Sequence, residues 1–468
     1  MTIERSGTAN QIELPRPSSP ERQLGTFRRL WAMRSDPLSS LGANAYKDLR
    51  VTSRLLGRDY LMLNDPDDID HVLNTHRDRY ERNVLARRIL EPATGDGLLL
   101  AEGEAWQQQR RSLVPAFQPR HIERLIPTFH DVVFRRLSRW ENGRATEHNL
   151  HTDFRELALA IAGRLMFSIS DEGKIGELAD LVVQGERSSA LIDWRDYVAW
   201  LIWEGMPQSA KRRSLRAEWR RWAEQRLDEH KPSSSLDQAR DVLDLLRAAH
   251  DGGAGMDRAT IVDQIDTMMA AGFVTTASAL FWTALMLSVM PEQQDVIRAE
   301  LCQEDTHEPP AGPALRAARK TTAFVYETLR LYPPAYAISR VARAEDRLGD
   351  LRVRRGTTVT IWPWFLHRHD RHWRDPHHFD PGRFLRDGRI VMPKAWMPFG
   401  TGPRVCIGAT FALTEILVVL RVLLARFRLE IRGPLPRPVG RVTLAPSFMP
   451  SVALIPIVRT GESGRAHA

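Results

Sequence analysis

The chain has 468 residues, of which 43% are hydrophobic and 26% charged, with a formal net charge of +8. This composition supports a large buried core and argues against a disordered or fibrous chain, and no stretch reaches the eighteen uncharged apolar residues of a membrane span. The positive charge lies on scattered arginines rather than in a basic block with interleaved aromatics, which argues against a nucleic-acid partner and suits docking of an acidic electron-transfer protein.

Residues 1 to about 25 are polar and proline-bearing, lack a signal-peptide core, and read as disordered. Arg50 to Leu63 has β-like content, and Pro66 to Thr75 reads as a short helix. The pattern is helical from Ala105 to Trp140. It is helical again from Leu150 to His230, with breaks near Ser168–Gly173 and Gly205–Pro207. Lys231-Pro232-Ser233-Ser234-Ser235 reads as a surface loop. Helices follow over Asp241–His250 and Arg258–Met290. The second, at about 1.5 Å per residue, spans roughly 50 Å and has to cross the core. Arg316–Leu331 is a further helix, stopped by Pro333-Pro334. Ala335–Ile361 alternates as short strands around turns at Gly349 and Gly356, and the last strands are expected between Phe427 and Val458. Residues 460–468 read as a disordered tail. The remainder, 26–459, is expected to form one compact domain, mainly α with small β-sheets (α+β) and a long central helix.

One of only two cysteines sits in Phe399-Gly400-Thr401-Gly402-Pro403-Arg404-Val405-Cys406-Ile407-Gly408, which runs into the largely apolar stretch Ala409–Leu424. A thiolate ligand to iron needs this setting. Glycines let backbone approach a flat macrocycle, and peptide N–H groups with the start of a helix stabilise sulfur's negative charge. Arg404 can reach a carboxylate of such a macrocycle. The competing reading, a small buried hydrophobe, leaves the surrounding pattern unexplained. Two cysteines make no disulfide framework, which fits a reducing cytoplasm, and Cys302 reads as incidental. The crowded His367, His369, His372, His377 and His378 lack the disciplined spacing of a zinc site.

This loop resembles the signature of the cytochrome P450 superfamily, and the likeness extends from about Ala105 to Val458, in its soluble bacterial-type form. The resemblance implies heme b as cofactor, Cys406 as the iron ligand, and Phe399, Gly402, Arg404 and Gly408 as its cradle. Trp106 and Arg110, in a Trp-x-x-x-Arg element, and Arg340 are implied to hold heme propionates. Glu327 and Arg330, which share one helix face, together with Arg383 in the segment after Trp373, are implied to form a buried charged network beneath the heme. In Ala271-Gly272-Phe273-Val274-Thr275-Thr276, the resemblance makes Ala271, Gly272 and Thr275 the oxygen groove and proton-delivering hydroxyl. The usual acid is replaced by Val274, which cannot relay a proton.

The expected activity is monooxygenation of a hydrophobic small molecule, such as a fatty acid, a terpenoid or another natural-product scaffold. The expected partners are O2 and a separate ferredoxin and ferredoxin reductase drawing on NAD(P)H. A cytoplasmic monomer without a membrane anchor is expected. Val274 keeps a peroxide-driven or oxidative-coupling enzyme in play, beside a heme sensor without catalysis. The pocket is expected from the loop Asn83–Leu100, the Trp-rich lid within Ser188–Met206, Phe273, Ala335–Ile338 and Ser447–Pro450.

Overall fold

Leu56 and Gly57, both at positive φ (51° and 79°), reverse the chain between β1 (Arg50–Leu55) and β2 (Arg58–Leu63), so the stretch read as β is an antiparallel hairpin. In the computed structural model, which describes residues 14–21, 24–142, 147–189, 193–231, 241–251 and 256–457, α1 (Thr26–Ser35) precedes that hairpin. The leader is not wholly loose: Leu14 is buried in the main core, although disorder was expected to about residue 25. Residues 1–13, the tail 460–468 and the 232–235 loop lie outside the described residues.

Asp65 caps α2 (Pro66–Asp70), which runs into one π turn and then β3 (Tyr80–Arg82). Part of the expected pocket loop is in fact a helix, α3 (Val84–Thr94), capped by the Asn83 side chain. The single helix expected over Ala105–Trp140 is two, α4 (Gly103–Leu113) and α5 (Pro119–Asn142). Pro115 and Pro119 lack the N–H that a continuous helix would use there, and a 3-10 turn joins the pieces. After β4 (Glu147–His148), α6 (Leu150–Phe167) ends on Ser168 at φ 51°. Next come α7 (Glu172–Ser189), α8 (Trp194–Leu201) and α9 (Ala210–Glu229), so the chain breaks once more than expected, at Asp193, whose backbone is extended (φ −84°, ψ 153°). Then follow α10 (Val242–Asp251), α11 (Arg258–Val289) and α12 (Pro291–Leu301).

The helix expected over Arg316–Leu331 breaks at Ala318 (φ −72°, ψ 68°) into α13 (Gly312–Ala317) and α14 (Arg319–Leu331). The strands β5 (Ile338–Ala342), β6 (Asp346–Leu348), β7 (Leu351–Val353) and β8 (Thr358–Ile361) turn at Gly349 and Gly356, as expected. A short α15 (Pro363–Leu366), β9 (Leu385–Arg386) and β10 (Arg389–Ile390) lead to α16 (Ala409–Arg426). The last strands are β11 (Phe427–Arg432), β12 (Pro438–Gly440), β13 (Leu444–Pro446) and β14 (Ser451–Pro456). The main sheet runs β1-β2-β8-β5-β3, parallel only between β2 and β8.

Helix α11 organises the core. It packs against α3, α6, α9, α14 and α16, and Thr276 to Ser288 are buried without a gap. Contrary to the expectation that no stretch is long and apolar enough, its length and hydropathy would suffice for a membrane span, with no charged residue from Thr267 to Pro291, but 78% of its most apolar window is covered by protein.

Glu415 on α16 is an exception inside this core: 2% exposed, with a buried Oε1 that has no hydrogen-bond partner. Burial pushes its carboxyl well above the ordinary range. The native state therefore keeps a proton that the unfolded chain releases above its ordinary pKa of 4.5, so this position destabilises progressively as pH rises from there. Glu415→Gln is expected to leave stability near pH 4 unchanged. Around pH 7 it should raise stability, and the gain should grow as pH rises above 4.5. Urea midpoints of both proteins across pH 4.5–8 check this; parallel curves would contradict it.

Candidate functional site

Cys406 lies at the end of a loop whose shape is set by two left-handed glycines, Gly400 (φ 75°) and Gly402 (φ 71°). A Cβ on Gly402 would come within 2.8 Å of the Leu73 carbonyl, so no larger residue fits that crossing. The Cys406 N–H donates to the Phe399 carbonyl at 2.8 Å, and Arg110 on α4 donates to the Val405 carbonyl at 2.7 Å. Arg110 thus braces the cysteine loop. The side chain of Cys406 is water-accessible, yet surrounding protein pushes its thiol pKa up by burial. The Gly408 N–H and the Arg110 charge pull the other way. The sulfur faces a recess, not open solvent, at the start of α16. A bound metal cation would deprotonate it there.

Beside this loop the charges do not balance. Arg82 on β3 and Arg340 on β5 are directly opposite each other in the strand register, where like charges repel. Arg404 joins them, its guanidinium 4.5 Å from the Trp106 ring centroid. One carboxylate, Glu102, serves the group, 2.8 Å from Arg404 Nη2 and 3.2 Å from Arg82 Nε. Arg404 Nη1 and Arg82 Nε are buried without a partner in hydrogen-bond geometry. Burial, reinforced by the neighbouring arginines, lowers the Arg82 pKa to about 9 and that of Arg340 to about 10. Trp106, Glu102, Arg340 and Arg404 line a cavity of about 430 Å³. Arg77 and Arg343 also line it, against Asp78 and Glu81, with Arg343 paired to Glu81, so the surplus of positive charge lies on the trio of Arg82, Arg340 and Arg404, which share Glu102 and which carboxylates of a ligand would neutralise. Neither Arg82 nor Glu102 was found from sequence. The strand pairing that sets Arg82 opposite Arg340 is the signal that reveals it.

Arg82→Gln is expected to act oppositely on the two forms of the protein. Relief of the like-charge pair should raise the thermal midpoint of the ligand-free chain. Loss of a charged donor, about 1.5–3 kcal/mol, should speed release of a bound carboxylate ligand roughly 10- to 100-fold. Calorimetry of the free chain and transfer of the bound group to an excess of an acceptor protein check both signs.

The acid–arginine network is brought together. Glu327 and Arg330, both 0% exposed, pair at 2.6 and 2.7 Å. Arg330 also donates to the carbonyls of His367, Pro376 and His378, which occupies all five of its N–H groups. Arg383 Nε is 3.4 Å from Glu327, and its other nitrogens donate to the Arg374 and Asp375 carbonyls. His367 Nδ1 donates to the Arg330 carbonyl, and its Nε2 accepts from the Met397 N–H at 2.9 Å. That histidine ties α14 to the chain two residues ahead of Phe399. Burial lowers its pKa to about 3, so it works as a neutral bridge. The crowded histidines form no close-set ligand group. Among the described residues the metal-compatible cluster is elsewhere, at His230, Asp241 and Asp244.

On α11 the Thr275 hydroxyl donates to the Ala271 carbonyl at 2.8 Å, placing these two residues on one face. A Cβ on Gly272 would meet the terminal methyl of Met166 of α6 at 3.0 Å, a contact that this flexible side chain can relieve. Phe273, expected in the pocket, is 2% exposed within the core, whereas Phe448 and Met449 are 44% and 48% exposed. The Trp-rich segment forms α8, closed by a capping box between Asp193 and Asp196. Asp196 is fully buried and accepts from Arg88 of α3 and Arg212 of α9, which pins this short helix to both neighbours.

The sequence matches the cytochrome P450 family over residues 43–447. A cyclooctat-9-en-7-ol 5-monooxygenase from Streptomyces melanosporofaciens is 31% identical over 434 residues, covering 90% of this chain and 89% of its own length. An 11-oxo-beta-amyrin 30-oxidase from Glycyrrhiza uralensis is 29% identical, covering 79% of this chain and 73% of its own. The crystal structure of a 6-coordinated cytochrome P450 from Thermus thermophilus superposes with a TM-score of 0.67 at 25% identity, over 87% of this chain and 95% of that one.

Proposed function

The chain belongs to the cytochrome P450 family, a family of heme-thiolate monooxygenases, and on that premise we propose that it inserts one atom of O2 into a C–H bond of a hydrophobic, polycyclic small molecule. The single observation that carries the cofactor assignment is the unbalanced trio Arg82, Arg340 and Arg404 beside the cysteine loop. The two propionates of heme b would neutralise it, and the Cys406 thiolate would hold the iron. When bound, the heme supplies O2 activation and oxidation of the C–H bond. The chain's own residues do the rest.

The Phe399 carbonyl and Arg110 hold the backbone of the Cys406 loop and the Gly408 N–H faces the sulfur, so Cys406 would hold the iron through a thiolate. Thr275 Oγ1 gives its proton to the Ala271 carbonyl and keeps its lone pairs to accept from a water or a substrate hydroxyl. Val274 offers no proton, so delivery rests on water held at Thr275 Oγ1. The apolar Ala335, Ala337 and Ile338 favour a substrate held by area rather than by ion pairs. The names of the relatives, which act on cyclooctat-9-en-7-ol and 11-oxo-beta-amyrin, support a terpenoid-like scaffold. Electrons would come from a separate ferredoxin and its NAD(P)H-dependent reductase.

The valine at 274 favours one second reading, peroxide-driven turnover. Product formed with ferredoxin, reductase and NADPH, compared with product formed from peroxide alone, separates the two. Under the first reading Thr275→Ala should lower the rate of product formation by about a hundredfold or more, the scale of one positioned proton-transfer group. Val274→Glu should raise it. Faster turnover from peroxide alone, indifferent to Thr275→Ala, would overturn it.

A further inference from the structure

The ends of three helices meet at one buried spot. Helix α9 stops at His230, where the backbone turns extended (φ −71°, ψ 122°), and α6 stops at Ser168, at φ 51°. Asp241 precedes α10, and Asp244 lies in its first turn. His230 Nε2 is 3.1 Å from Asp241 Oδ2 and 3.6 Å from Asp244 Oδ1. The Ser168 hydroxyl donates to Asp241 Oδ2 at 2.5 Å, and Asp241 Oδ1 accepts from the Asp244 N–H at 2.8 Å. Those two bonds fix both oxygens of Asp241. The side chains of His230, Asp241 and Asp244 are only 3%, 0% and 1% exposed, and the adjacent Leu227, Val242 and Leu243 are buried with them.

An ion pair of His230 with Asp241 alone would not need Asp244 on the same nitrogen. One nitrogen and two carboxylate oxygens, from three positions of the chain, lie within 4.8 Å of one another. Tetrahedral zinc, with ligand bonds of about 2.0–2.2 Å, sets its ligand atoms roughly 3.3–3.6 Å apart. The separations of 3.1 and 3.6 Å from His230 Nε2 are close to that edge. His230 Nδ1 is buried without a hydrogen-bond partner, so the ring is oriented through Nε2 alone, toward the two carboxylates. The donor set narrows the metal. Calcium takes about six to eight oxygens and magnesium keeps several waters, neither of which suits a dry site with an imidazole, whereas zinc and similar first-row dications accept nitrogen beside carboxylate. Such a cation would match the two carboxylate charges and take the imidazole as a neutral ligand. We propose that His230, Asp241 and Asp244 bind one zinc-like divalent cation that ties the ends of α6, α9 and α10 together, with Ser168 orienting Asp241. This goes beyond the proposed reaction, and no step of that reaction uses the cation.

The test is equilibrium dialysis of the full heme-loaded chain against zinc chloride after treatment with a chelator, with the thermal midpoint measured in parallel. The wild type should take up one zinc per chain at micromolar free metal, and its midpoint should rise with zinc. His230→Gln and Asp244→Asn should each weaken uptake by about a hundredfold or more, and Ser168→Ala by roughly tenfold, the scale of a hydrogen bond that orients a metal ligand. All three should keep the carbon monoxide spectrum of the wild type. Should the His230 variant not fold, Ser168→Ala still decides, because it leaves the three ligands in place. A wild type that takes up no stoichiometric zinc would overturn the proposal. So would uptake that every variant retains, which would assign the metal to other histidines. A wild-type midpoint indifferent to zinc would also overturn it, leaving His230 and the two aspartates as an ordinary ion pair. None of these readouts depends on turnover, so they stand or fall apart from the proposed reaction.

Discussion

Cys406→Ala is expected to abolish the thiolate-type carbon monoxide band and to lower substrate oxidation by at least about a thousandfold, the scale seen when the group that makes the chemistry possible is removed. The loop is built around this one atom. Gly402 allows the close crossing at Leu73, Arg110 and Phe399 hold the backbone, and the Gly408 N–H points at the sulfur. Because these contacts are made by the backbone, the alanine variant should keep its fold, and far-ultraviolet circular dichroism should match the wild type. Cys302→Ala is the control. That thiol is half-buried on the Arg421 carbonyl, away from the arginine trio, and its loss should leave the band intact. A thiolate-type band that survives Cys406→Ala would remove the axial assignment and the reaction built on it.

Glu327→Ala is expected to destabilise the protein by about 3–5 kcal/mol and to prevent stable heme incorporation, because two buried guanidiniums lose their shared carboxylate. Arg330 cannot turn to solvent, since it is fully buried and its remaining N–H groups are committed to the carbonyls of His367, Pro376 and His378. The damage should travel. His367 connects Arg330 to Met397, and Met397 leads into Phe399, whose carbonyl holds Cys406. Glu327→Gln keeps the oxygen acceptor and the shape, so it should cost less than the alanine. Urea midpoints and heme content of the three proteins check the order. An alanine variant within about 0.5 kcal/mol of wild type would show that the network is not structural.

The same carboxyl is subject to two opposed influences. Burial raises its pKa, and Arg330 opposes the rise. Arginine removal by Arg330→Met should therefore leave a neutral acid rather than a buried anion, and its cost should be smaller at pH 5 than at pH 8.

Much of this protein is written in short stretches of its chain. The cysteine loop, the Glu327–Arg330 pair and the turns at Gly349 and Gly356 depend on residues within about ten positions of one another. Local spacing alone specifies them, and the main helices follow from the periodicity of apolar residues. The breaks at Pro115 and Pro119 are legible once the missing proline N–H groups are counted, whereas no proline or glycine marks the break at Ala318. Other features exist only once distant segments meet. Arg82 faces Arg340 through strand pairing, and Glu102 joins them from another element, so the cationic trio that calls for a ligand's carboxylates has no signature along the chain. Gly272 meets Met166, more than a hundred residues earlier, and Arg110 meets the Val405 carbonyl. The sequence by itself singled out Cys406 as the candidate metal ligand and showed most of the helices around it. Only the tertiary structure decided which charges remain unpaired and which apolar side chains stay in water, because both are differences between neighbours that folding alone creates.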